Sequence, residues 1–197
     1  TLFRSPSHTP STGESVDFCP SLWGGKDWPP AAYNPGTGLV YIPVNENHCG
    51  VIEGREVTYM PGSSYTGART EFTLRDPQGN IGQIQAWDMD SGEEVWSVEF
   101  QSHNWGGILT TAGNLIFSGG TSDRFFRAHD ALTGEELWRF RTNSGIIGVP
   151  STFSVDGKQY VAIQSGWGVD AAGMTARIDQ QRGTRTFVPQ GGVVWVF

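Results

Sequence analysis

The chain has 197 residues, a length that fits one domain and suffices for a sizeable core. Its formal net charge of −7 argues against a general nucleic-acid binder, because such proteins need a basic face that displaces counterions. No apolar run in the sequence is long enough to span a membrane. Its 27 glycines and 12% aromatic residues favour short strands and tight turns over helices.

The first 18 residues are rich in Ser, Thr and Pro and have no periodicity, which predicts a loop that crosses from a preceding element. The chain opens on Thr1, with neither an initiator Met nor a signal peptide. We therefore expect the sequence to begin inside a longer polypeptide or to be a processed product.

Cys19 and Cys49 are the two cysteines of the sequence, and they form no Cys-x-x-Cys pair. A zinc finger or a covalently attached haem is therefore unsupported. The pair is either two buried thiols or one disulfide. An even count in a glycine-rich β chain favours the disulfide, and with it an oxidising compartment.

Strand signals flank an Asn-Pro-Gly-Thr-Gly turn at residues 34–38. Residues 46–80 then break this rhythm with several Gly and Pro residues and little strand pattern. We predict an inserted loop there, of the kind that more often builds a binding surface or a subunit contact than nothing at all.

One eleven-residue pattern, Ala-x-Asp-x-x-[Ser/Thr]-Gly-Glu-Glu-aliphatic-Trp, occurs at residues 86–96 and again, 42 residues later, at residues 128–138. This spacing is the period of a four-stranded propeller blade. Its Asp can accept hydrogen bonds from the turn, its Gly supplies a positive φ, and its Trp can lie between neighbouring blades. We interpret the repeat as scaffold and assign it no chemistry.

The pattern predicts an all-β fold, a partial β-propeller of about three four-stranded blades. The first blade is predicted at residues 19–100, including the insertion at 46–80, the second at 101–143, and the last at 144–197. The last blade ends after its third strand, which is expected if a remote N-terminal segment closes the ring. Since closed propellers have about four to eight blades, we expect the chain to be incomplete without N-terminal blades.

Several runs of the sequence are similar to the quinoprotein alcohol dehydrogenases, the pyrroloquinoline quinone (PQQ) enzymes that include methanol dehydrogenase. They are residues 19–43, Trp-Gly-Gly at 105–107 with residues 111–117, residues 144–150 and residues 156–162. The resemblance covers nearly the whole chain, except residues 50–78 and 170–188. It implies the C-terminal third of an eight-bladed propeller.

The resemblance implies a role for five residues. Asp27 occupies a position beside the PQQ plane that is usually Asn in the family; an ionised Asp would be repelled by the three carboxylates of PQQ, and the alternative role is a turn cap. Trp105 matches a Trp that contacts PQQ, with packing between blades as the alternative. Trp167 matches a Trp of the substrate funnel, and Cys19 and Cys49 match a family disulfide.

The resemblance implies no catalytic residue and no metal ligand in this chain, since the family's catalytic aspartate and the ligands of its Ca²⁺ or lanthanide ion lie in the N-terminal part. The four histidines, His8, His48, His103 and His129, show no metal-ligand spacing. Because Trp87 takes the place of His129 in the other repeat, we expect His129 to be a surface residue.

The first functional hypothesis is part of a periplasmic PQQ-dependent alcohol dehydrogenase, inactive by itself. It would act with the N-terminal part of the enzyme, as a second chain or a missing segment, oxidise alcohols to aldehydes or ketones and pass electrons to cytochrome c or another acceptor. The alternative is a non-catalytic propeller that serves as a scaffold or assembly module. Such a module would keep the repeat, but it has no reason to keep the Gly-Lys-Asp-Trp and Trp-Gly-Gly runs. A lectin propeller, suggested by aromatic residues alone, is weaker.

Overall fold

A computed structural model of the chain describes residues 9–63 and 66–197. In this part the elements are, in chain order, β1 (Ser15–Phe18), β2 (Ala32–Asn34), β3 (Leu39–Asn45), β4 (His48–Gly54), β5 (Ala68–Leu74), β6 (Gly82–Asp88), β7 (Glu94–Phe100), β8 (Ile108–Thr110), β9 (Leu115–Ser118), β10 (Phe125–Asp130), β11 (Glu136–Arg141), β12 (Ser151–Val155), β13 (Lys158–Ser165), α1 (Val169–Arg182) and β14 (Val193–Val196).

Two four-stranded antiparallel sheets, in the orders β2-β3-β6-β7 and β8-β9-β10-β11, lie side by side. The N–H of Ile108 donates to the Pro30 carbonyl at 3.1 Å, and the Asn34 amide donates to Thr110 Oγ1 at 3.1 Å, so the first strand of one sheet touches the first strand of the other. One apolar core fills the space between the two sheets, because Tyr41 and Ile84 of the first join Ile116 of the second. The predicted β-rich chain of blade-like sheets is confirmed.

The third sheet, β12-β13-β14, has three strands, as the sequence predicts for the last unit. The second and third sheets meet through aromatic side chains. Phe197 lies 5.1 Å from the Trp138 ring and 5.8 Å from the Phe126 ring, measured between centroids. Phe126, Ile146 and Ile163 are fully buried in the core beside it.

The prediction of loops at residues 1–18 and 46–80 is wrong in part, because β1, β4 and β5 form a fourth antiparallel sheet. The first eight residues lie outside the described part of the chain. Two glycines made β4 look like a loop, but both mark close packing. A Cβ at Gly50 would lie 2.7 Å from the Phe18 ring, and one at Gly54 would overlap with the Ser11 carbonyl.

The Cys19–Cys49 disulfide is present and joins the segment after β1 to β4, across 30 residues of sequence. The expected disulfide is therefore confirmed. It fixes the start of the segment that leads to β2, and that segment carries Asp27.

The fold is mostly β, and the described residues add one element that the all-β prediction does not include, because residues 169–182 form helix α1 between β13 and β14. The sequence hides this helix for three reasons. Its N-cap, Gly168, makes no side-chain capping bond, its interior contains Gly173, and its buried stripe includes the small or polar Ala171 and Thr175 beside Met174. These features weaken the helical signal that the i, i+3, i+4 and i+7 spacing otherwise gives.

The repeat turns have the hydrogen bonds that the sequence predicts. Asp88 Oδ1 accepts from the backbone N–H groups of Asp90 at 2.9 Å and Ser91 at 2.8 Å. The Asp130 carboxylate accepts the equivalent pair, from Leu132 and Thr133. These backbone bonds hold the pKa values of both carboxyl groups below their usual range.

Trp96, the last residue of the first repeat, docks on the turn of the second. Its indole Nε1 donates to the Ala131 carbonyl at 3.2 Å, and its ring lies against Gly134. Gly134 has a φ of +75°. Position 134 therefore favours glycine for two reasons: its backbone conformation is left-handed, and the Trp96 ring leaves no room for a Cβ.

Replacing Gly134 by Ala is expected to lower the free energy of unfolding by about 2 kcal/mol, of which about 1 comes from the left-handed backbone and about 1 from overpacking against Trp96. Urea denaturation of the protein that contains this chain measures the loss. Gly92→Ala is the matched control, because Gly92 has a φ of +71° and open space around its Cβ position. It should lose about 1 kcal/mol. Equal losses in the two variants would show that contact between the new Cβ and the Trp96 ring contributes nothing to the loss of stability.

Candidate functional site

The three predicted site residues lie at one end of the sheets, and the repeat turns lie at the other. In an antiparallel meander, the connection into the first strand and the connection between the second and third strands lie at one end. Asp27 precedes β2, Trp105 precedes β8, and Trp167 lies between β13 and β14. All three predicted site residues therefore share one end, the site end. The turns at residues 88–92 and 130–134 lie at the other end.

Asp27 and Trp105 line the same open cleft at the site end, with a volume of about 360 Å³. The cleft is lined by Leu22, Trp23, Asp27, Trp28, Trp105, Val169, Asp170, Gly173, Met174 and Arg177. Its walls are mostly aromatic and aliphatic, with two carboxylates and one guanidinium among them. Trp167 does not line this cleft. It lies in the same apolar cluster as Trp105 and borders two other clefts, one beside α1 and one between Ile147 and the loop at Gln190.

Trp105 is held by its backbone. Asn45 and Asn104 bond reciprocally, Asn45 Nδ2 to the Asn104 carbonyl at 3.0 Å and the Asn104 N–H to Asn45 Oδ1 at 2.8 Å. The Trp105 N–H donates to the Gly120 carbonyl at 2.9 Å. A Cβ at Gly106 would lie 2.9 Å from the backbone of Gly120. The close approach at Gly106 is thus to a neighbouring loop of the same chain.

The indole of Trp105 is 4% exposed and packs edge-on against Trp28 at 6.0 Å between centroids. Trp28 is 48% exposed, so this pair presents one buried and one open ring to the cleft. Asp27 is exposed beside them, and no hydrogen bond to its carboxylate exists among the described residues. The neighbouring Lys26 ammonium is occupied, since it donates to the carbonyls of Asp27 at 2.6 Å and Pro29 at 2.8 Å.

Helix α1 forms the opposite wall of the cleft. Its C-terminal end is anchored on the loop between β5 and β6 and on the residue that follows β7. The Arg182 guanidinium donates to the carbonyls of Pro77 at 2.8 Å, Gln101 at 2.7 Å and Gly79 at 2.6 Å. Burial lowers the pKa of Arg182, against the opposing field of Asp179. Ile178 packs into the cluster of Phe72 and Trp23. The helix therefore bridges the site end from the third unit to the first.

His103 joins α1 to the loop that carries Trp105. Its Nε2 lies 3.2 Å from the Ala171 carbonyl and 3.2 Å from Thr175 Oγ1. Its ring stacks on Trp167 at 5.3 Å, with 19° between the planes. Burial lowers the pKa of His103 to about 4, so this imidazole is neutral near pH 7. Its Nδ1, like the Trp167 Nε1, is buried with no hydrogen-bond partner in the described chain.

The expectation that His129 is a surface residue is wrong, because His129 is fully buried and its Nδ1 contacts the Gly134 carbonyl at 3.0 Å. A repeat position that accepts both Trp and His suggested exposure, yet His129 is fully buried and Trp87 is half-buried. His48 is also buried, with its Nδ1 2.9 Å from Ser21 Oγ. His8 lies outside the described residues.

Sequence reasoning missed the helix wall and the three rings of Trp23, Trp28 and His103. Trp28 stands directly after Asp27, and His103 stands two residues before Trp105, so their proximity in sequence was available as a signal. Trp23 stacks on Phe72 of β5 at 4.2 Å between centroids. That contact depends on a sheet the sequence pattern did not predict.

Residues 9–63 and 66–197 contain no group of three or more His, Cys, Asp or Glu side chains that could hold a metal ion. Within the same residues, no helix combines the length and apolar character needed to cross a membrane.

Residues 97–161 match the family model "Glucose/ethanol/alcohol dehydrogenase, beta-propeller domain". The chain is 40% identical over 186 residues to quinoprotein alcohol dehydrogenase PedH of Pseudomonas putida. The matched region covers 94% of this chain and 30% of that protein. The chain belongs to the PQQ-dependent alcohol dehydrogenase family. A lanthanide-dependent methanol dehydrogenase of Methylorubrum extorquens is 43% identical over 171 residues, which cover 85% of this chain and 28% of that protein.

Among solved structures, a europium-containing methanol dehydrogenase superposes with a TM-score of 0.81 at 35% identity. The match covers 98% of this chain and 36% of that protein. The four sheets therefore correspond to part of a quinoprotein propeller. The chain spans about 30% of the length of the curated relatives that it matches.

Proposed function

We propose that this chain forms part of a PQQ-dependent alcohol dehydrogenase that oxidises alcohols to aldehydes or ketones. The observation that carries the proposal is that Asp27 and Trp105, from two separate motifs, line one cleft at the site end. The remaining blades of the propeller, on the same or a second polypeptide, supply the catalytic carboxylate and the Ca²⁺ or lanthanide ligands. The reaction takes place in the periplasm, and its electrons pass to cytochrome c or another acceptor.

The cleft fits PQQ as one wall. The Trp28 and Trp105 rings suit the flat face or edge of a tricyclic ring system. The charges suit it less, because Asp27 and Asp170 face three cofactor carboxylates with Arg177 as the cation among the cleft residues. This balance supports a chain that contributes apolar contact and leaves most anion recognition to other blades.

When bound, PQQ supplies the quinone that accepts the two electrons of the alcohol. The role of this chain in the reaction is to position the cofactor and to exclude water from the cleft. Trp105, held through Asn45 and Asn104, forms a rigid apolar wall, and α1 closes the cleft on the opposite side. The buried Trp167 packs behind this wall, and its contribution to the substrate pocket is part of the same proposal.

The alternative, a non-catalytic propeller scaffold, is favoured by one observation. Gly106 and Gly107 approach neighbouring segments of the chain, Gly120 and Pro30, so folding alone explains these two glycines. It does not explain why Asp27 stands exposed and without a hydrogen-bond partner beside two Trp rings. That arrangement favours a ligand cleft over a scaffold.

The decisive experiment combines this chain with the remaining blades, PQQ and Ca²⁺ or a lanthanide, and follows dye reduction by primary alcohols. The enzyme proposal expects alcohol-dependent dye reduction and PQQ absorbance that persists through gel filtration. Absence of both overturns it and leaves the scaffold.

Asp27→Asn is expected to tighten PQQ binding about fivefold, because removing an exposed charge near the cofactor carboxylates removes ~1 kcal/mol of repulsion. Fluorescence titration of the apoprotein with PQQ measures the dissociation constant. Asp17→Asn is the matched control, since Asp17 is an exposed carboxylate on β1 outside the cleft. Tighter binding in both variants would point to net charge, and weaker binding in Asp27→Asn would contradict repulsion.

A further inference from the structure

Gly173 occupies the interior of α1 without any structural need for glycine. The helix runs from Val169 to Arg182, and glycine is among the least favourable residues for a helix interior. Its φ is that of an ordinary helical residue, and apart from its chain neighbours and the surrounding helix backbone no atom lies within 4 Å of where its Cβ would stand. Of the chain's 27 glycines, Gly173 is the one that combines an ordinary φ with open space at its Cβ position.

The open space beside Gly173 is the cleft of Asp27, Trp28 and Trp105. Asp170, Gly173 and Arg177 follow one another at i, i+3 and i+7 and form the cleft-facing side of α1. The buried side of the helix, through Ala171 and Ile178, faces away into the core. A Cβ at position 173 would therefore point into the cleft volume and contact no packed side chain of the described residues.

The lining of the cleft defines what the missing side chain makes room for. Aromatic and aliphatic groups predominate near Gly173, and charged groups stand on either side of it along the helix. The volume of about 360 Å³ lies at the lower end of the ~300–1,000 Å³ typical of small-molecule sites. The Trp28 and Trp105 side of the cleft is the wall proposed for PQQ. The α1 side around Gly173, with Val169 and Met174, fits an aryl or alkyl group of a small molecule better than a charged group or a second protein.

We propose that Gly173 determines substrate size, by leaving room in the cleft for the hydrophobic part of an alcohol larger than ethanol, such as an aryl-substituted primary alcohol. This inference rests on the proposed function. It adds that the α1 wall discriminates among alcohols by volume, with Gly173 as the residue that sets the width.

The test compares Gly173→Ala and Gly173→Leu with wild type in the PQQ-loaded protein. Gly173→Leu is expected to lower kcat/KM for 2-phenylethanol about tenfold or more, and to leave ethanol within about twofold, since pocket volume discriminates by this order. Gly173→Ala should give a smaller change in the same direction. Because Ala is a better helix former than Gly, the melting temperature of Gly173→Ala should equal or exceed that of wild type.

The matched control is Ala176→Leu, which adds the same kind of side chain at an exposed position of α1 that lines the neighbouring cleft beside Trp167 and not this one. It should leave the ratio of the two kcat/KM values unchanged. Three results would overturn the proposal: an equal loss for both alcohols in Gly173→Leu, no loss for either, or the same discrimination in Ala176→Leu. A lowered melting temperature in Gly173→Ala would also overturn it, because another part of the protein would then fill the space.

Saturation-transfer NMR with 2-phenylethanol separates this inference from the proposed function, because it detects weak binding without turnover. Wild type should transfer magnetisation to the ring protons, and Gly173→Leu should lose most of that transfer. If wild type binds 2-phenylethanol but reduces no dye, the dehydrogenase proposal is contradicted and the role of Gly173 is not. No transfer to the ring in wild type would sink the size-determining role of Gly173.

Discussion

Removing the Cys19–Cys49 disulfide is expected to lower the free energy of unfolding by about 3–4 kcal/mol and to open the cleft. The bond closes a loop across 30 residues of sequence, and the chain-entropy cost of freeing a loop of that length is of this size. Cys19 is exposed and Cys49 half-buried, so a soluble reductant can reach the pair.

The effect extends to the site because the disulfide precedes four residues of the cleft. Leu22, Trp23, Asp27 and Trp28 all lie on the segment between Cys19 and β2. Trp23 holds this segment to β5 through its stack on Phe72. With the disulfide cut, that contact has to hold the segment against a larger gain in chain entropy. We therefore expect looser packing at Trp28 and Asp27 than at Trp105.

Urea denaturation with and without a thiol reductant measures the loss of stability, and hydrogen exchange locates it. The Cys19→Ser/Cys49→Ser variant should be less stable than oxidised wild type by the same amount. Reductant should lower the free energy of unfolding of this variant by less than that of wild type, and the difference should equal that amount. Comparing the two losses removes the contribution of disulfides elsewhere in the protein. Equal stability of the variant and oxidised wild type would refute the prediction. Exchange that rises around Trp105 but not around Trp28 would contradict the proposed local loosening.

The repeat shows which features a single sequence reveals. Asp88 and Asp130 bond to their own turns, and Gly92 and Gly134 have positive φ, because these demands are local to a few residues. Local demands leave a periodic pattern that can be read without knowing the fold. The docking of Trp96 was also predictable, since the repeat period places one turn beside the next blade.

The site end was predictable only in part, because its geometry depends on contacts between distant segments. The resemblance to quinoprotein alcohol dehydrogenases pointed to Asp27 and Trp105, and both line one cleft of the structure. The helix wall was not predictable, because α1 is stabilised by tertiary contacts such as Arg182 to three carbonyls rather than by its own propensity. The β4–β5 hairpin was missed for a similar reason, since Gly50 is there for the Phe18 ring of another strand.

Acidification is expected to destabilise the protein between pH 6.5 and about 4, with His103 the largest single contributor among the described histidines. The pKa of His103 is lowered from 6.5 to about 4 by burial. In this interval the unfolded chain binds a proton at His103 and the folded chain does not. Stability is therefore fully present above pH 6.5 and is lost as the pH falls toward 4.

The magnitude follows from the difference between the two pKa values. A shift of about 2.5 pH units corresponds to roughly 3–4 kcal/mol at about 1.4 kcal/mol per unit. His48 and His129 have pKa values lowered by burial as well, so they act in the same direction. All three rings have one nitrogen without a partner in the described chain. A proton placed there would have no acceptor, which agrees with neutral imidazoles in the folded state.

His103→Phe tests this assignment, because Phe keeps a ring to stack on Trp167 and removes the titration. The variant loses the contacts of Nε2 with Ala171 and Thr175, so its stability at pH 7 should fall. Its loss between pH 6.5 and 4 should nevertheless be smaller than that of wild type by up to roughly 3–4 kcal/mol. Urea denaturation at several pH values measures both slopes. Parallel slopes would mean that His103 binds protons equally in the folded and unfolded chains, and that the contact between α1 and the Trp105 loop does not depend on a neutral imidazole.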